Sequence, residues 1–154
     1  MKINDEEINI IRLSPNELKK FIELIALFHE VFETNETEIV DKDFLQQLLE
    51  NQYFIAFAVF QNNEIIGGAT AYILPMYYSK SSELFIYDVA IHPGYQRMGL
   101  GAKLISTLRD FCGRKGLGEM FVPVHEEDTH ALNFYKATGG KAEKVSHFNY
   151  SIKE

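Results

Sequence analysis

The run Glu83-Leu-Phe-Ile-Tyr-Asp-Val-Ala-Ile91 is followed at once by His92-Pro-Gly-Tyr-Gln-Arg-Met-Gly-Leu-Gly101. The first stretch is rich in β-branched and aromatic residues and predicts a strand. His92-Pro93-Gly94 breaks it. Beyond Gly101, Leu104, Ile105, Leu108, Phe111 and Cys112 recur at helical spacing, and Gly116 supplies a stop. A further strand is expected at 120–124. Residues 83–124 therefore predict a strand, a crossover helix and a parallel strand, with the right-handed connection that such units adopt.

Working outward, Ser14-Pro15-Asn16-Glu17 predicts a helix start, with serine as cap, proline in the first turn and glutamate closing a capping box. Leu18, Phe21, Ile22, Ile25, Phe28 and Phe32 mark one face of that helix. Asp41 is expected to open a short second helix through Leu45, Leu48 and Leu49. Strands at 53–60 and 65–74 flank Asn62-Asn63, a pair that tolerates positive φ, and so predict an antiparallel hairpin. Past the crossover, 129–138 reads as a helix and 145–152 as a last strand. The order α-α-β-β-β-α-β-α-β defines an α/β chain with a central mixed sheet flanked by helices. It is read as one domain over 1–154, with no internal repeat or linker.

Composition narrows the functional classes. At 154 residues, with 46% hydrophobic and 24% charged residues, the chain has the make-up of a folded globular protein. No apolar run reaches membrane-spanning length, and the polar start at 1–7 does not resemble a signal peptide. The single cysteine, Cys112, has no internal disulfide partner, which suits a reducing cytoplasm. The net charge of −7 argues against general binding to nucleic acid phosphates. No Cys/His spacing suggests a metal.

Against that acidic background, residues 89–109 contain no Asp or Glu but do contain Arg97, Lys103 and Arg109. A helix start offers amides without intrahelical partners and a partial positive charge. Gly99 and Gly101 would leave those amides uncovered, so the loop has the properties of an anion site. Glycines there also permit tight turning and close helix packing, and the spacing alone does not separate the two uses. The loop lacks the lysine and serine or threonine of a nucleoside-triphosphate loop and the three-glycine dinucleotide fingerprint.

Gln96-Arg97-Met98-Gly99-Leu100-Gly101 resembles Gln/Arg-x-x-Gly-x-Gly/Ala, the pyrophosphate loop of the GNAT superfamily of N-acetyltransferases. Asn133-Phe134-Tyr135-Lys136-Ala137-Thr138-Gly139-Gly140 is similar to that family's Phe-Tyr-x-x-x-Gly-Phe signature, with Gly140 in place of the aromatic. The segments 71–75, 82–90 and His147-Phe148 are similar to class I aminoglycoside 3-N-acetyltransferases. The resemblance implies a GNAT acyl-coenzyme A N-acyltransferase fold from about residue 10 onward. It also implies acetyl-coenzyme A (acetyl-CoA) as cosubstrate, held by Val89, Ala90, Ile91, Gln96, Arg97, Met98, Gly99, Leu100, Gly101, Ala102, Asn133 and Tyr135. The Val89 amide would stabilise the oxyanion, and the backbone of Val89 and Ile91 would pair with the pantetheine arm. The strand after the crossover must then part from its neighbour, where Pro123 fits because it lacks an amide. Tyr135 is implied to protonate the departing thiolate, and Asn133 either bonds the pantetheine or is solvated.

Asp88 interrupts an apolar strand and so must be paired or used. It either orients the acceptor amine, takes its proton directly or through water, or caps a nearby loop. Glu83 is the next candidate base. His125 ends the opposing strand, and His147 belongs to the core or to the substrate cleft. Acids gather at Glu33, Glu36, Glu38, Asp41 and Asp43, and at Glu126, Glu127 and Asp128. In the resembled fold both groups would flank the acceptor groove, either as plain solvated faces or as an acidic rim for a cationic amine, with His125 beside the second group and Asp128 also suited to a helix cap. The sequence departs from the aminoglycoside enzymes in its acidic connector, at Asn149, where many carry aspartate, and at 123–125. The reading is a cytoplasmic acetyl-CoA-dependent N-acetyltransferase acting through a ternary complex. Its acceptor is expected to be a small cationic amine, an aminoglycoside first, consistent with antibiotic resistance. A polyamine, amino acid or peptide amine is the alternative, and a non-catalytic CoA-binding module the second. A homodimer is expected, with no nucleic acid or membrane partner.

Overall fold

The structure is a computed structural model that describes residues 7–34, 40–78 and 80–153. Its Cα packing divides into two compact units, 1–123 and 124–154. The first unit holds a five-stranded sheet in the order β1-β2-β3-β4-β5. The strands are β1 (Ile8–Arg12), β2 (Phe54–Gln61), β3 (Glu64–Leu74), β4 (Glu83–Ile91) and β5 (Glu119–Phe121). The first four pair antiparallel in sequence, and β5 joins β4 in parallel. Helices α1 (Leu18–Val31), α2 (Lys42–Glu50) and α3 (Leu100–Lys115) complete the unit.

β2 is buried at every position, the mark of a strand covered on both faces. Phe54, Ala56, Ala58 and Phe60 pack with Phe21, Leu24, Leu27 and Phe28 of α1 and Leu45 and Leu49 of α2. The intervening Phe57 meets Phe111 of α3, ring centres 5.7 Å apart. Two-residue alternation thus distributes the core between two helical layers. Leu24 and Leu104 are wholly buried, so truncating either to alanine would cost about 2–5 kcal/mol.

The expected hairpin and crossover form, and Asn62 turns the hairpin at φ 54°. Asp41 opens α2, its carboxylate accepting from the Asp43 amide at 2.7 Å. α1 begins later than expected. Glu17 is its cap, and only half of the capping box is made, the Ser14 amide donating to Glu17 Oε2 at 2.7 Å. β1 was not expected, because only one of its five residues is buried and an edge strand of that kind has little periodicity to read. The last strand expected at 145–152 does not form. Phe148, Tyr150 and Ile152 alternate as a strand would, but they are exposed and 140–153 joins no ladder. A strand exists only through a partner's hydrogen bonds, which alternation by itself does not supply. The second unit carries helix α4 (Thr129–Ala137).

Candidate active site

The β4-to-α3 connection is built by local bonds. His92 caps a 3₁₀ turn at Pro93–Tyr95, its Nδ1 accepting from the Gly94 amide at 3.1 Å. Gln96 Nε2 donates to the Ile91 carbonyl at 2.9 Å and ties the loop to the strand end. Arg97 and Gly99 both take left-handed backbone, at φ 63° and 79°. Gly99 is the α3 N-cap, without a side-chain cap bond or an acid in the first turn. A Cβ placed on Gly99 would meet nothing within 4 Å. Lys103 is the first α3 residue whose amide has a backbone partner there, Gly99 O at 3.0 Å. The amides before it are the unpaired donors of a helix start, open and flanked by basic residues. A pyrophosphate fits this cradle.

The strand edge beside the loop is open as well. β5 pairs β4 only at Glu83, Leu84 and Phe85. Among the described residues, the β5-facing edge of β4 from Ile86 to Ile91 has no ladder partner, and alternate backbone groups there can pair with an extended ligand. Pro123 lies two residues beyond the end of β5, as expected for a strand that leaves its neighbour.

The register between β3 and β4 shifts once. Thr70 opposes Asp88 while Ala71 opposes Ile86, leaving Tyr87 as the extra residue of a bulge. The bulge turns Tyr87 and Asp88 toward the same face. The Thr70 hydroxyl donates to Asp88 Oδ2 at 3.3 Å. Burial raises the Asp88 pKa above the usual carboxylate value, with the Thr70 bond opposing. Burial also raises the Tyr72 phenol, and the neighbouring Tyr87 and Asp88 add to the effect. The rings continue across the sheet: Tyr72 to Tyr87 and Tyr87 to Phe85 edge-on at 6.0 Å, then Phe85 stacked on Phe121 at 5.1 Å. Glu83 shares this face by alternation and pairs in register with Glu119.

The sequence reading named Asp88 and Glu83 but missed Thr70, Tyr72 and Tyr87. One signal was present. Buried Leu84 and Ile86 alternate correctly, and then Tyr87-Asp88 sets two polar residues side by side, as a bulge permits. A separate concavity of about 490 Å³ in the β3–β4 loop is lined by Pro75, Met76, Tyr77, Tyr78, Lys80 and Ser82. None of the expected residues lines it.

In the second unit, Asp128 caps α4 by accepting from the Ala131 amide at 3.0 Å. Tyr135 and Phe134 meet edge-on at 5.0 Å. The chain then folds back so that the Gly140 amide donates to the Tyr135 carbonyl at 2.9 Å. A Cβ at 140 would also lie 2.9 Å from that oxygen, so glycine suits the position that carries an aromatic in the motif. Asn133 lies two residues before Tyr135 on α4, and Glu126, Glu127 and His125 precede the helix, the two glutamates exposed. His147 Nε2 lies 3.0 Å from Asn149 Oδ1. Of the other acidic group, Glu33, Asp41 and Asp43 are placed in the first unit, whereas Glu36 and Glu38 lie outside the described residues. Among the described residues no cluster of His, Cys, Asp or Glu is arranged to hold a metal, and no helix is long and apolar enough to cross a membrane.

Comparison with known proteins agrees with this geometry. Over 97% of this chain and 99% of the other, the structure superimposes with a TM-score of 0.94, at 41% identity, on the aminoglycoside acetyltransferase meta-AAC0020 from an uncultured soil metagenomic sample, in complex with sisomicin. The same protein is known in complex with trehalose. A second soil aminoglycoside acetyltransferase, HMB0005, is 33% identical over 95% of this chain and 99% of that one, with a TM-score of 0.88. Among curated relatives, the ribosomal protein bS18 alanine N-acetyltransferase of Escherichia coli K12 is 23% identical over 90 residues. The match takes in 58% of this chain, which spans only 57% of that relative's length. The acetyltransferase (GNAT) family model matches residues 19–139, and with it the glycine loop, the parted strands and the Tyr135 helix. The chain therefore belongs to the acetyltransferase (GNAT) family, with a five-stranded mixed sheet among its described residues.

Proposed function

We propose that this enzyme transfers acetyl from acetyl-CoA to an amine of an aminoglycoside, at the 3-N position that the sequence resemblance implies, by direct attack in a ternary complex. The observation that carries the acceptor is the 41% identity over nearly the whole of both chains to an aminoglycoside acetyltransferase described in complex with sisomicin. The trehalose complex of that protein adds that its surface accommodates a sugar without amines. Acetyl-CoA supplies an activated thioester carbonyl. The loop amides from Arg97 to Ala102 bind its pyrophosphate, and the free edge of Val89, Ala90 and Ile91 receives the pantetheine, with Asn133 a further contact. The Val89 amide donates to the developing oxyanion.

The acceptor amine must reach the carbonyl unprotonated. Asp88 accepts its proton, directly or through water, and Glu83 is the second carboxylate available on that face. Tyr135 gives a proton to the thiolate. Glu126, Glu127, Asp128 and His125 form a rim that attracts a multiply charged acceptor. Two copies pair through the strand-like 145–152 segment, whose Phe148, Tyr150 and Ile152 are otherwise left in water; sedimentation of an Ile152→Lys variant as a monomer would support this. The deciding experiment follows thiol release from acetyl-CoA with sisomicin, spermidine and single amino acids, and product mass and NMR locate the acetyl group. Turnover of sisomicin with acetylation at N3 is expected. Acetylation of amino acids alone would refute the acceptor class, and acetylation at another amine would refute the position.

A further inference from the structure

Three features of the β3–β4–β5 face converge on Tyr87. It is the extra residue of the bulge. Its ring touches both Tyr72 and Phe85, and Phe85 in turn stacks on Phe121. Yet Tyr87 is 62% and Phe121 38% exposed, in a sheet whose β2 is buried throughout. A row of rings in mutual contact is thus open to solvent on this face, beside a half-buried carboxylate.

We propose that Tyr87, supported by Phe85 and Phe121, is the platform on which the saturated ring of the acceptor lies, with the amine next to Asp88. The proposal rests on the aminoglycoside reading and deepens it by naming the residues that select a ring. The electron-rich face of an aromatic attracts the C–H edges of a sugar or aminocyclitol and any ammonium at its rim. A linear polyamine matches the charge but offers no flat face to cover the row. Aromatic walls with a few placed polar groups are the usual composition of a small-molecule site. The bulge makes the arrangement possible: in a regular strand Tyr87 and Asp88 would point to opposite faces.

The test uses the full chain with Tyr87→Phe, Tyr87→Leu and Phe121→Leu, and sisomicin and spermidine as acceptors. Tyr87 is mostly exposed, so thermal melting of its variants should match the parent; Phe121→Leu reads the same platform should Tyr87→Leu fail to fold. Tyr87→Phe keeps the ring, so its KM for sisomicin should rise less than that of Tyr87→Leu. Tyr87→Leu should raise KM for sisomicin on the order of tenfold, the size expected for losing one partly exposed cation–π and stacking contact. KM for acetyl-CoA should not change, and the preference for sisomicin over spermidine should fall. An unchanged sisomicin KM in both leucine variants, while the parent turns sisomicin over, overturns the platform and leaves the acceptor class intact. A loss shared equally by spermidine also overturns it. Absence of sisomicin turnover in the parent itself overturns the acceptor class, and the platform with it.

Discussion

The Thr70 hydroxyl donates to the Asp88 carboxylate across the β3–β4 pair at 3.3 Å, beside the one register shift between those strands. That bond is the described hydrogen bond that favours the ionised form of a carboxyl whose burial favours the neutral one. If Asp88 is the base, it must be ionised to work, and its raised pKa places the acid limb of kcat/KM above the ordinary carboxylate range. Thr70→Val keeps the shape and removes the donor, so the limb should move to still higher pH. Asp88→Asn should lower kcat by roughly 10²–10⁴-fold. A pH–rate profile of the three proteins checks both points.

The same shift predicts the pH dependence of stability. With the native pKa raised, the folded protein keeps the Asp88 proton at pH values where the unfolded chain has lost it. This contribution is fully present below the unfolded value and is lost as pH rises through the native one. Asp88→Asn removes that loss. Its melting temperature relative to the parent should therefore be higher at pH 7 than at pH 3.

Grip on the coenzyme should depend on backbone access at the loop. Gly99→Ala points its methyl into space that is empty of protein within 4 Å, at φ 79°, and left-handed backbone at alanine costs roughly 1 kcal/mol of stability. Gly101→Val lies within α3 and carries no such strain. Both should fold and lose most acetyl-CoA affinity in calorimetry. Parent-like affinity in both would remove the loop from the coenzyme site.

Tyr135→Phe keeps the ring that meets Phe134 and deletes only the hydroxyl. If that hydroxyl protonates the thiolate, kcat should fall by roughly 10²–10⁴-fold, with acetyl-CoA affinity little changed. Single-turnover kinetics, with chemistry verified as the slow step, would show it. Undiminished turnover would assign the proton to water.

The acidic rim is tested by Glu126→Gln, Glu127→Gln and Asp128→Asn together. Asparagine can still accept from the Ala131 amide, so the α4 cap survives and only charge is lost. KM for sisomicin should rise more than kcat falls, because these groups hold ground and transition states alike. The parent's advantage with sisomicin should also shrink as salt is raised, since exposed charges are screened over about 8 Å at physiological ionic strength.

Much of this protein is determined by short-range pattern. The 83–124 crossover is legible because alternation, a Pro-Gly break and helical spacing follow one another within one stretch. The Asp41 and Asp128 caps and the glycine loop are legible because amides at a helix start seek partners within three residues. What depends on distant partners was not legible. Five residues at Ile8–Arg12 become a strand only because β2 offers them an edge. Phe148, Tyr150 and Ile152 alternate more clearly than those five, yet 140–153 joins no ladder among the described residues and forms no strand. Asp88 stood out as a charge in an apolar strand, yet its partner, Thr70, lies 18 residues away and meets it only through the β3–β4 register. The row from Tyr72 to Phe121 likewise exists only once three strands lie side by side. Covalent order limits each residue to its local geometry, and the pairing of strands decides which side chains share a face.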